Sequence, residues 1–203
     1  DNHGAGRLQT GTLQQFFASV RKDPKFLFPN TDEGREGYLQ TSRDFYADIE
    51  AKLPEYFGLR PKATLVVKRV EAFREQPGAA QHYMQGTPDG TRPGTYYVHL
   101  IDMNSMPKFD MESVAYHEGI PGHHMQVALA QELTGLPKFR TQSFHTAYVE
   151  GWGLYAEQLA KEMGAYKDPY SDFGRLGAEI WRAIRLVVDT GLHSKGWTEP
   201  QAV

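Results

Sequence analysis

The chain has 203 residues with a formal net charge of -3, and 40% of its residues are hydrophobic. This length suffices for one compact domain with a hydrophobic core. Charges of both signs are spread along the chain, which excludes the basic surface that nucleic acids require, and the longest apolar runs are far too short to insert into a membrane. Cysteine is absent, so a metal would need histidine and carboxylate ligands.

Hydrophobic periodicity predicts helices at the start of the chain and strands after them. A short helix is expected at about 13–20, and a longer helical pattern runs from 32 or 33 to about 57. The β-branched run at 63–70 predicts a strand. Residues 81–100 predict two further strands around a turn-rich loop, which together suggest a small antiparallel sheet.

The rest of the chain is predicted to be helical, with segments at 110–120, 123–134, 141–163 and 171–190. Thr198 then has the character of a helix N-cap close to the last residue, which suggests a longer protein. The predicted fold class is α+β and predominantly α-helical. We divide the chain into an N-terminal helical segment, 1–60, and a single compact unit, 61–203.

The stretch SVAYHEGIPGHHMQVAL comes close to the zinc-peptidase motif H-E-x-x-H. In that motif two histidines one helical turn apart share an ion, and the glutamate activates water. His117 and Glu118 occupy the first two places, but Pro121 stands where the second histidine should be. Proline has no ligand atom and interrupts the helix. The next histidines are His123 and His124, so a metal site here requires a different spacing.

Whether His123 or His124 can bind the same metal ion as His117 depends on a kink in the helix. On an undistorted helix His123 lies about 240° around from His117, while His124 is nearly in line but roughly 10 Å along the axis. Gly122 can adopt conformations that bring the next turn back. This favours His123 as the second ligand and keeps His124 as the alternative. A polar helix end that binds no metal is the competing interpretation.

A third ligand is expected in the sequence YVEGWGLYAE. Glu150 lies there among apolar and aromatic residues, where an unpaired carboxylate is costly and a metal would remove the cost. Glu157 lies two turns further on the same helix face, so it is expected to orient a ligand histidine. Two solvated carboxylates on a helix surface are the alternative.

Four sequence blocks together resemble a large bacterial group labelled domain of unknown function 885: GTRPGTYYVHL, YHEGIPGHHMQ, YVEGWGLYAE and FGRLGAEIWRAIRLVVDTGLHSKGWT. The resemblance covers about 63–203. That group looks like a branch of the gluzincin zinc metallopeptidases with an expanded H-E-x-x-x-x-H motif. The resemblance therefore implies a gluzincin-like catalytic region at 61–203 in a longer protein, and a periplasmic or secreted location.

The same resemblance implies a role for each residue of the motif. His117, His123 and Glu150 become ligands of a Zn²⁺ ion, and Glu118 becomes the general base. Such a His2Glu set leaves one coordination position for water, as in catalytic zinc sites.

A peptidase also needs a donor that stabilises the oxyanion. The first candidate is His193, oriented by Asp189 four residues earlier, although a histidine in this place can also interact with its own helix end. Tyr97, Tyr116 and Tyr148 are second choices, since each could equally be a core aromatic.

Substrate contacts are expected from a strand and from arginines. GTYYVHLID is predicted as an edge strand that pairs with an extended peptide, which makes Tyr97 a substrate-binding candidate. Arg182 and Arg185 could bind a substrate carboxylate, although ion pairs are the commoner role of such arginines.

The leading hypothesis is a zinc-dependent hydrolase, most plausibly a peptidase with peptide substrates. The alternative is a non-catalytic peptide-binding or scaffolding domain that retains the fold. A di-iron helical bundle would need Glu-x-x-His pairs, and the sequence contains none. The sequence makes no prediction of the oligomeric state.

Overall fold

A computed structural model describes residues 12–202 and shows a mainly helical fold with one small sheet. The helices are α1 (Leu13–Lys22), α2 (Asp32–Glu50), α3 (Leu53–Tyr56), α4 (Lys108–Glu118), α5 (His123–Glu132), α6 (Lys138–Gln142), α7 (Thr146–Glu162), α8 (Pro169–Lys195) and α9 (Glu199–Ala202). The strands are β1 (Leu65–Arg69), β2 (His82–Met84) and β3 (Gly94–Val98). Among the described helices, none is long and apolar enough to cross a membrane. The predicted helical character with a small sheet is confirmed.

The sheet is mixed, not antiparallel as predicted. Its strand order is β1-β3-β2, with β1 parallel to β3 and β2 antiparallel to β3. A short loop joins β2 to β3 and makes them antiparallel neighbours, whereas β1 takes the other side of β3. The strand GTYYV is therefore the central strand, and the prediction that it forms an edge is wrong. The edges are β1 and β2.

Side chains from the loop after β1 complete the hydrogen bonding beyond the end of β3. The backbone N–H of His99 donates to Gln81 Oε1 at 2.6 Å, and the N–H of Leu100 donates to Glu75 Oε1 at 2.6 Å. The Glu75 carboxylate also accepts two hydrogen bonds from Arg69, at 3.0 and 2.6 Å. A buried backbone N–H needs such a partner, so this loop is fixed to the sheet.

Helix α4 lies at the centre of the fold and is buried on almost all sides. It packs against α8, α7, α2 and α5. Gly174 of α8 permits the closest approach, because a side chain there would collide with the carbonyl of Phe109. Apolar and polar residues of α4 are buried together, including Met111, Glu112 and Ser113. Such a helix has little amphipathic character, and each buried polar group requires a partner.

One hydrophobic core contains residues of both predicted segments, 1–60 and 61–203. Tyr38 and Ile49 of α2 belong to the same buried cluster as Ala115 of α4 and Leu159 of α7. The described part of segment 1–60 therefore packs on the rest through a shared core.

Three helix boundaries differ from prediction. The pattern expected at 32–57 is divided into α2 and α3, because Pro54 lies in the first turn of α3, a position that proline favours. The segment expected at 141–163 is divided into α6 and α7, with extended backbone at Ser143 and His145 between them. Helix α8 extends beyond the expected 171–190 at both ends.

Replacing Glu75 with glutamine is expected to lower the free energy of unfolding by about 2 kcal/mol at pH 7, because Arg69 and the Leu100 N–H lose a charged acceptor. Burial alone would raise the pKa of Glu75, but the hydrogen bonds from Arg69 and from Leu100 outweigh it and lower the pKa. The contribution is thus present above the usual glutamate pKa and is lost as pH falls through the lowered value. Urea unfolding of both proteins at pH 7 and pH 3 measures it.

Glu71→Gln is the matched control, because its bond to Arg74 lies on the surface, with each side chain almost half exposed. This control should change the free energy of unfolding by less than about 0.5 kcal/mol. Equal effects of the two substitutions at pH 7, or an undiminished Glu75→Gln effect at pH 3, would contradict the prediction.

Candidate metal centre

His117 lies in the last turn of α4 and is held by a buried carboxylate of α7. Its Nδ1 lies 2.7 Å from Glu157 Oε1, and Ser113 Oγ donates to the other oxygen of Glu157 at 2.7 Å. All three side chains are buried. Because an ionised carboxylate only accepts, the His117 Nδ1–H donates to it and Nε2 remains on the opposite side of the ring. Glu157 therefore holds the His117 ring in one orientation, and its role beside a metal ligand stays a prediction.

The helical backbone is interrupted between α4 and α5, in a segment that contains two glycines. A side chain at Gly119 would collide with the ring of Tyr46, and one at Gly122 would collide with the backbone carbonyls of the preceding turn of α4. The Ile120–Pro121 peptide bond between them is cis. Helix α5 then begins at His123. The backbone N–H of His124 donates to the carbonyl of Gly119 at 3.1 Å, which joins the first turn of α5 to the end of α4.

His123, His117 and Glu150 converge at this corner. The two histidine rings are nearly perpendicular, with centroids 4.6 Å apart. Glu150 Oε2 lies 3.4 Å from His117 Nε2, and Glu150 Oε1 lies 3.7 Å from His123 Nε2. One ligand atom from each residue lies within 4.8 Å of the others. Two atoms bound tetrahedrally to one zinc ion at about 2.0–2.2 Å are roughly 3.3–3.6 Å apart, so the set is compatible with that ion.

His124 faces the sheet and lies outside this cluster. Its Nε2 donates to the carbonyl of Ala63 at 3.0 Å, and its Nδ1 accepts from the hydroxyl of Tyr83 at 3.0 Å. Gly94 leaves room for this contact, since a Cβ there would lie 2.5 Å from both partners. Burial lowers the pKa of His124 to about 4. Both ring nitrogens are thus engaged in joining α5 to the sheet.

Arg182 of α8 contacts the cluster from the side of Glu150. Its Nη1 donates to Glu150 Oε2 at 2.6 Å, and its Nη2 lies 3.2 Å from His117 Nε2. The hydrogen bond with His117, followed by that from Arg182, lowers the pKa of Glu150 to about 2. The Glu150 side chain is 41% exposed, so this side of the cluster is open to solvent. These contacts show that positive charge is stabilised beside Glu150.

The two histidines of the cluster differ in their protonation. Burial alone would lower the pKa of His117, but the carboxylates of Glu150 and Glu157 outweigh it and raise the pKa to about 9. Burial and the charge on His117 lower the pKa of His123 to about 4. A neutral imidazole has a free lone pair, which a metal ligand requires. The His123 Nδ1 is buried and has no hydrogen-bond partner within residues 12–202.

Glu118 is the last residue of α4 and lies between the cluster and β2. Burial, reinforced by the charge of Glu150, raises its pKa to about 7, while the charge on His117 opposes the shift. The backbone amide of Tyr83 in β2 also favours the charged form of Glu118. The carboxylate therefore lies next to both the cluster and an edge strand.

The structure does not bring His193 to the cluster. Its Nδ1 lies 3.0 Å from Asp189 Oδ1, which is the predicted contact, but the two side chains are 75% and 70% exposed. His193 follows Arg182 by eleven residues on one helix, a rise of about 16 Å. Arg185, one turn beyond Arg182, is exposed and makes no hydrogen bond with a described residue. The roles of His193, Asp189 and Arg185 remain predictions.

The predicted tyrosine donors either make other contacts or are exposed. Tyr97 is on the face of β3 opposite the core-facing Tyr96, and its ring stacks on His82 at a centroid distance of 5.4 Å. Tyr116 is buried and donates to Glu112, and the side chain of Tyr148 is exposed. Sequence reasoning missed Ser113, although its position four residues before His117 places both on one face of α4.

Comparisons with known proteins identify relatives of similar fold. The family described as "Bacterial protein of unknown function (DUF885)" matches residues 3–203. The crystal structure of "the putative lipoprotein from Colwellia psychrerythraea" is 40% identical, with a TM-score of 0.89, over 95% of this chain and 33% of that chain. "A putative lipoprotein of unknown function from Shewanella oneidensis" is 19% identical, with a TM-score of 0.67, over 98% of this chain and 36% of that chain.

The chain spans about a third of the length of these two solved proteins. No curated protein matches it. The likeness to the Shewanella oneidensis protein, at its lower identity, shows the fold alone. The family match extends over nearly all residues, including α4, α5 and α7 with the cluster they form. The chain therefore belongs to the bacterial protein family DUF885.

Proposed function

We propose that the chain is the zinc-binding part of a hydrolase that cleaves peptide bonds. One observation carries the proposal: His117, His123 and Glu150 converge within 4.8 Å, and the carboxylate of Glu118 lies beside them. Three protein ligands of this kind are typical of catalytic zinc, which keeps a further position for water or substrate. Structural zinc sites are usually closed by four protein ligands.

The residues present are suited to zinc. Two imidazole nitrogens and a carboxylate oxygen are its usual ligands in a chain without cysteine, and Glu157 provides the outer carboxylate that holds one of the imidazoles. Arg182 donates to Glu150 and lies 3.2 Å from His117 Nε2, so a zinc ion would take these two ligand atoms over from the guanidinium. Bound zinc would supply Lewis acidity, which activates water and polarises a carbonyl group.

We assign the proton transfer to Glu118. Its carboxylate would accept the proton of the attacking water at a side-chain oxygen and return it to the nitrogen of the leaving amine. Burial next to the cluster keeps this carboxylate close to the reacting atoms and away from bulk water. A site that held metal only for structure would have no use for such a group.

Arg182 and β2 are assigned to the substrate. The Arg182 guanidinium has donors beyond those facing Glu150 and His117, so it can bind negative charge on a substrate or on the developing oxyanion. Strand β2 is an edge strand whose Tyr83 amide is near Glu118, so it can pair with an extended peptide. This role replaces the one expected for β3, whose two edges are occupied.

The name of the Colwellia psychrerythraea relative supports a location outside the cytoplasm, because that protein is described as a "putative lipoprotein". This agrees with the periplasmic or secreted location that the family resemblance implies. We extend that location to this chain as part of the proposal.

Purified protein is expected to bind one zinc ion, and Glu150→Ala should weaken zinc binding by at least about a hundredfold through loss of a ligand. Competition with a chromophoric chelator measures the affinity, and elemental analysis gives the stoichiometry. His193→Ala is the control and should leave the affinity unchanged, because that side chain is exposed and distant from the cluster. Absence of zinc binding by the unaltered chain, or equal affinities of all three proteins, would overturn the metal site.

Glu157→Gln is expected to weaken zinc binding by about tenfold while the fold is retained. Glutamine keeps an oxygen that accepts from His117 or Ser113 but removes the charge that strengthens His117 as a ligand. The same chelator competition measures the change. Glu162→Gln, exposed on the same helix α7, is the matched control and should have no effect. Equal affinity of the two variants would show that Glu157 does not support the metal.

Glu118→Gln should retain zinc and lower peptide hydrolysis by about 10²–10⁴-fold, because a positioned base is lost. Mass spectrometry of a peptide library incubated with zinc-loaded protein identifies cleaved substrates and gives the rates. Glu132→Gln, at the end of α5, is the control for removal of a carboxylate. If both variants cleave at the original rate, Glu118 is not the base. Peptide binding without cleavage by the unaltered protein would favour the non-catalytic alternative.

A further inference from the structure

A cavity of about 310 Å³ lies between α2, α4 and the start of α8. None of the proposed zinc ligands lines it, so it is distinct from the metal centre. Its volume is at the lower end of the range of small-molecule sites, which indicates a small ligand. Its walls combine apolar side chains, lysines and three acidic residues. Of the acidic residues only Glu112 is buried, whereas Asp48 pairs with Lys167 and the Asp168 side chain caps α8.

The carboxylate is that of Glu112, a residue with only 6% of its surface exposed. Its Oε1 accepts a hydrogen bond from the backbone N–H of Tyr166 at 2.8 Å and one from the Tyr116 hydroxyl at 3.2 Å. Within residues 12–202, the other oxygen has no hydrogen-bond partner, and no lysine or arginine forms an ion pair with Glu112. This oxygen is not fully shielded from solvent, so it is accessible to a donor from a ligand in the cavity.

Apolar side chains form the walls around this carboxylate. They come from α2 and α4 and from the chain before α2: Phe28, Phe45, Ile49 and Met111. Such walls favour a ligand with an apolar group in contact with them.

Lysine ammonium groups also line the cavity. Lys52 Nζ donates to the carbonyl of Met163 at 2.7 Å, and Lys167 Nζ lies 3.1 Å from Asp48. An ammonium group has three N–H donors, so each of these lysines retains capacity for a further acceptor. The cavity thus has a carboxylate that can accept hydrogen bonds from a cationic group, and ammonium groups that can donate to an anionic group.

The charged side chains that line the cavity restrict the class of ligand that it can bind. A simple anion would meet the unpaired oxygen of Glu112, and a simple cation would meet the lysines, with Lys108 as a third. A molecule with both charges satisfies both groups. We propose that the cavity binds a free α-amino acid with an apolar side chain, whose ammonium contacts Glu112 and whose carboxylate contacts the lysines. The site does not depend on the proposed hydrolase activity.

Isothermal titration calorimetry with L-leucine tests the proposal on the chain as it stands. L-leucine is expected to bind, while N-acetyl-L-leucine, which lacks the ammonium, and L-leucinamide, which lacks the carboxylate, should each bind at least about tenfold more weakly. Absence of L-leucine binding up to about 10 mM would overturn the proposal. Equal binding of the acetylated compound would overturn it as well.

The Glu112→Gln variant tests whether the negative charge of Glu112, and not only the shape of its side chain, is needed to bind the ligand. Glutamine retains an oxygen for the Tyr166 N–H and the Tyr116 hydroxyl, so the fold should persist, but its amide group cannot pair with an ammonium. L-leucine should bind this variant at least about tenfold more weakly. Glu199→Gln, exposed in α9, removes the same charge outside the cavity and should bind as the unaltered chain does. Unchanged affinity in a folded Glu112→Gln variant would contradict the assignment.

Discussion

The hydrogen bond between His117 of α4 and Glu157 of α7 determines how the centre of the molecule is arranged. Both groups are buried, and removing either partner would leave the other without compensation for its lost hydration. The helices also approach closely here, since a Cβ at Gly153 of α7 would lie 2.5 Å from the His117 ring. The contact fixes the ring of His117 and brings Glu150, two turns earlier on α7, to its other nitrogen.

The interruption between α4 and α5 provides the other half of the site. Gly119 and Gly122 allow the chain to pass close to Tyr46 and to the preceding turn, where any side chain would collide. The first two residues of α5 then have different contacts: His123 faces Glu150, and His124 faces the sheet. Because this segment lies close to the core, His123 can belong to the polar cluster while His124 contacts the sheet.

Local sequence patterns predicted much of the fold and part of the site. The helices around the motif and the three strands were expected close to their observed positions, because hydrophobic periodicity reports which face of an element is buried. The convergence of His117, His123 and Glu150 was also expected, although their role as ligands is still a proposal. Distances between elements were not accessible from the sequence: Tyr97 lies on the outer face of the sheet, and His193 lies eleven residues beyond Arg182 on α8. The predicted roles of both residues stay predictions.

The sequence by itself determined the types of group available for metal binding, the break in the helix at Pro121 and Gly122, and which face of each amphipathic helix is buried. Only the tertiary structure decided that β3 is the central strand, that His124 contacts Ala63, and that Arg182 reaches Glu150. The physical reason is that periodicity and turn chemistry act over a few residues. The position of one element against another depends on packing between residues far apart in the chain, such as the close approach of α4 and α8.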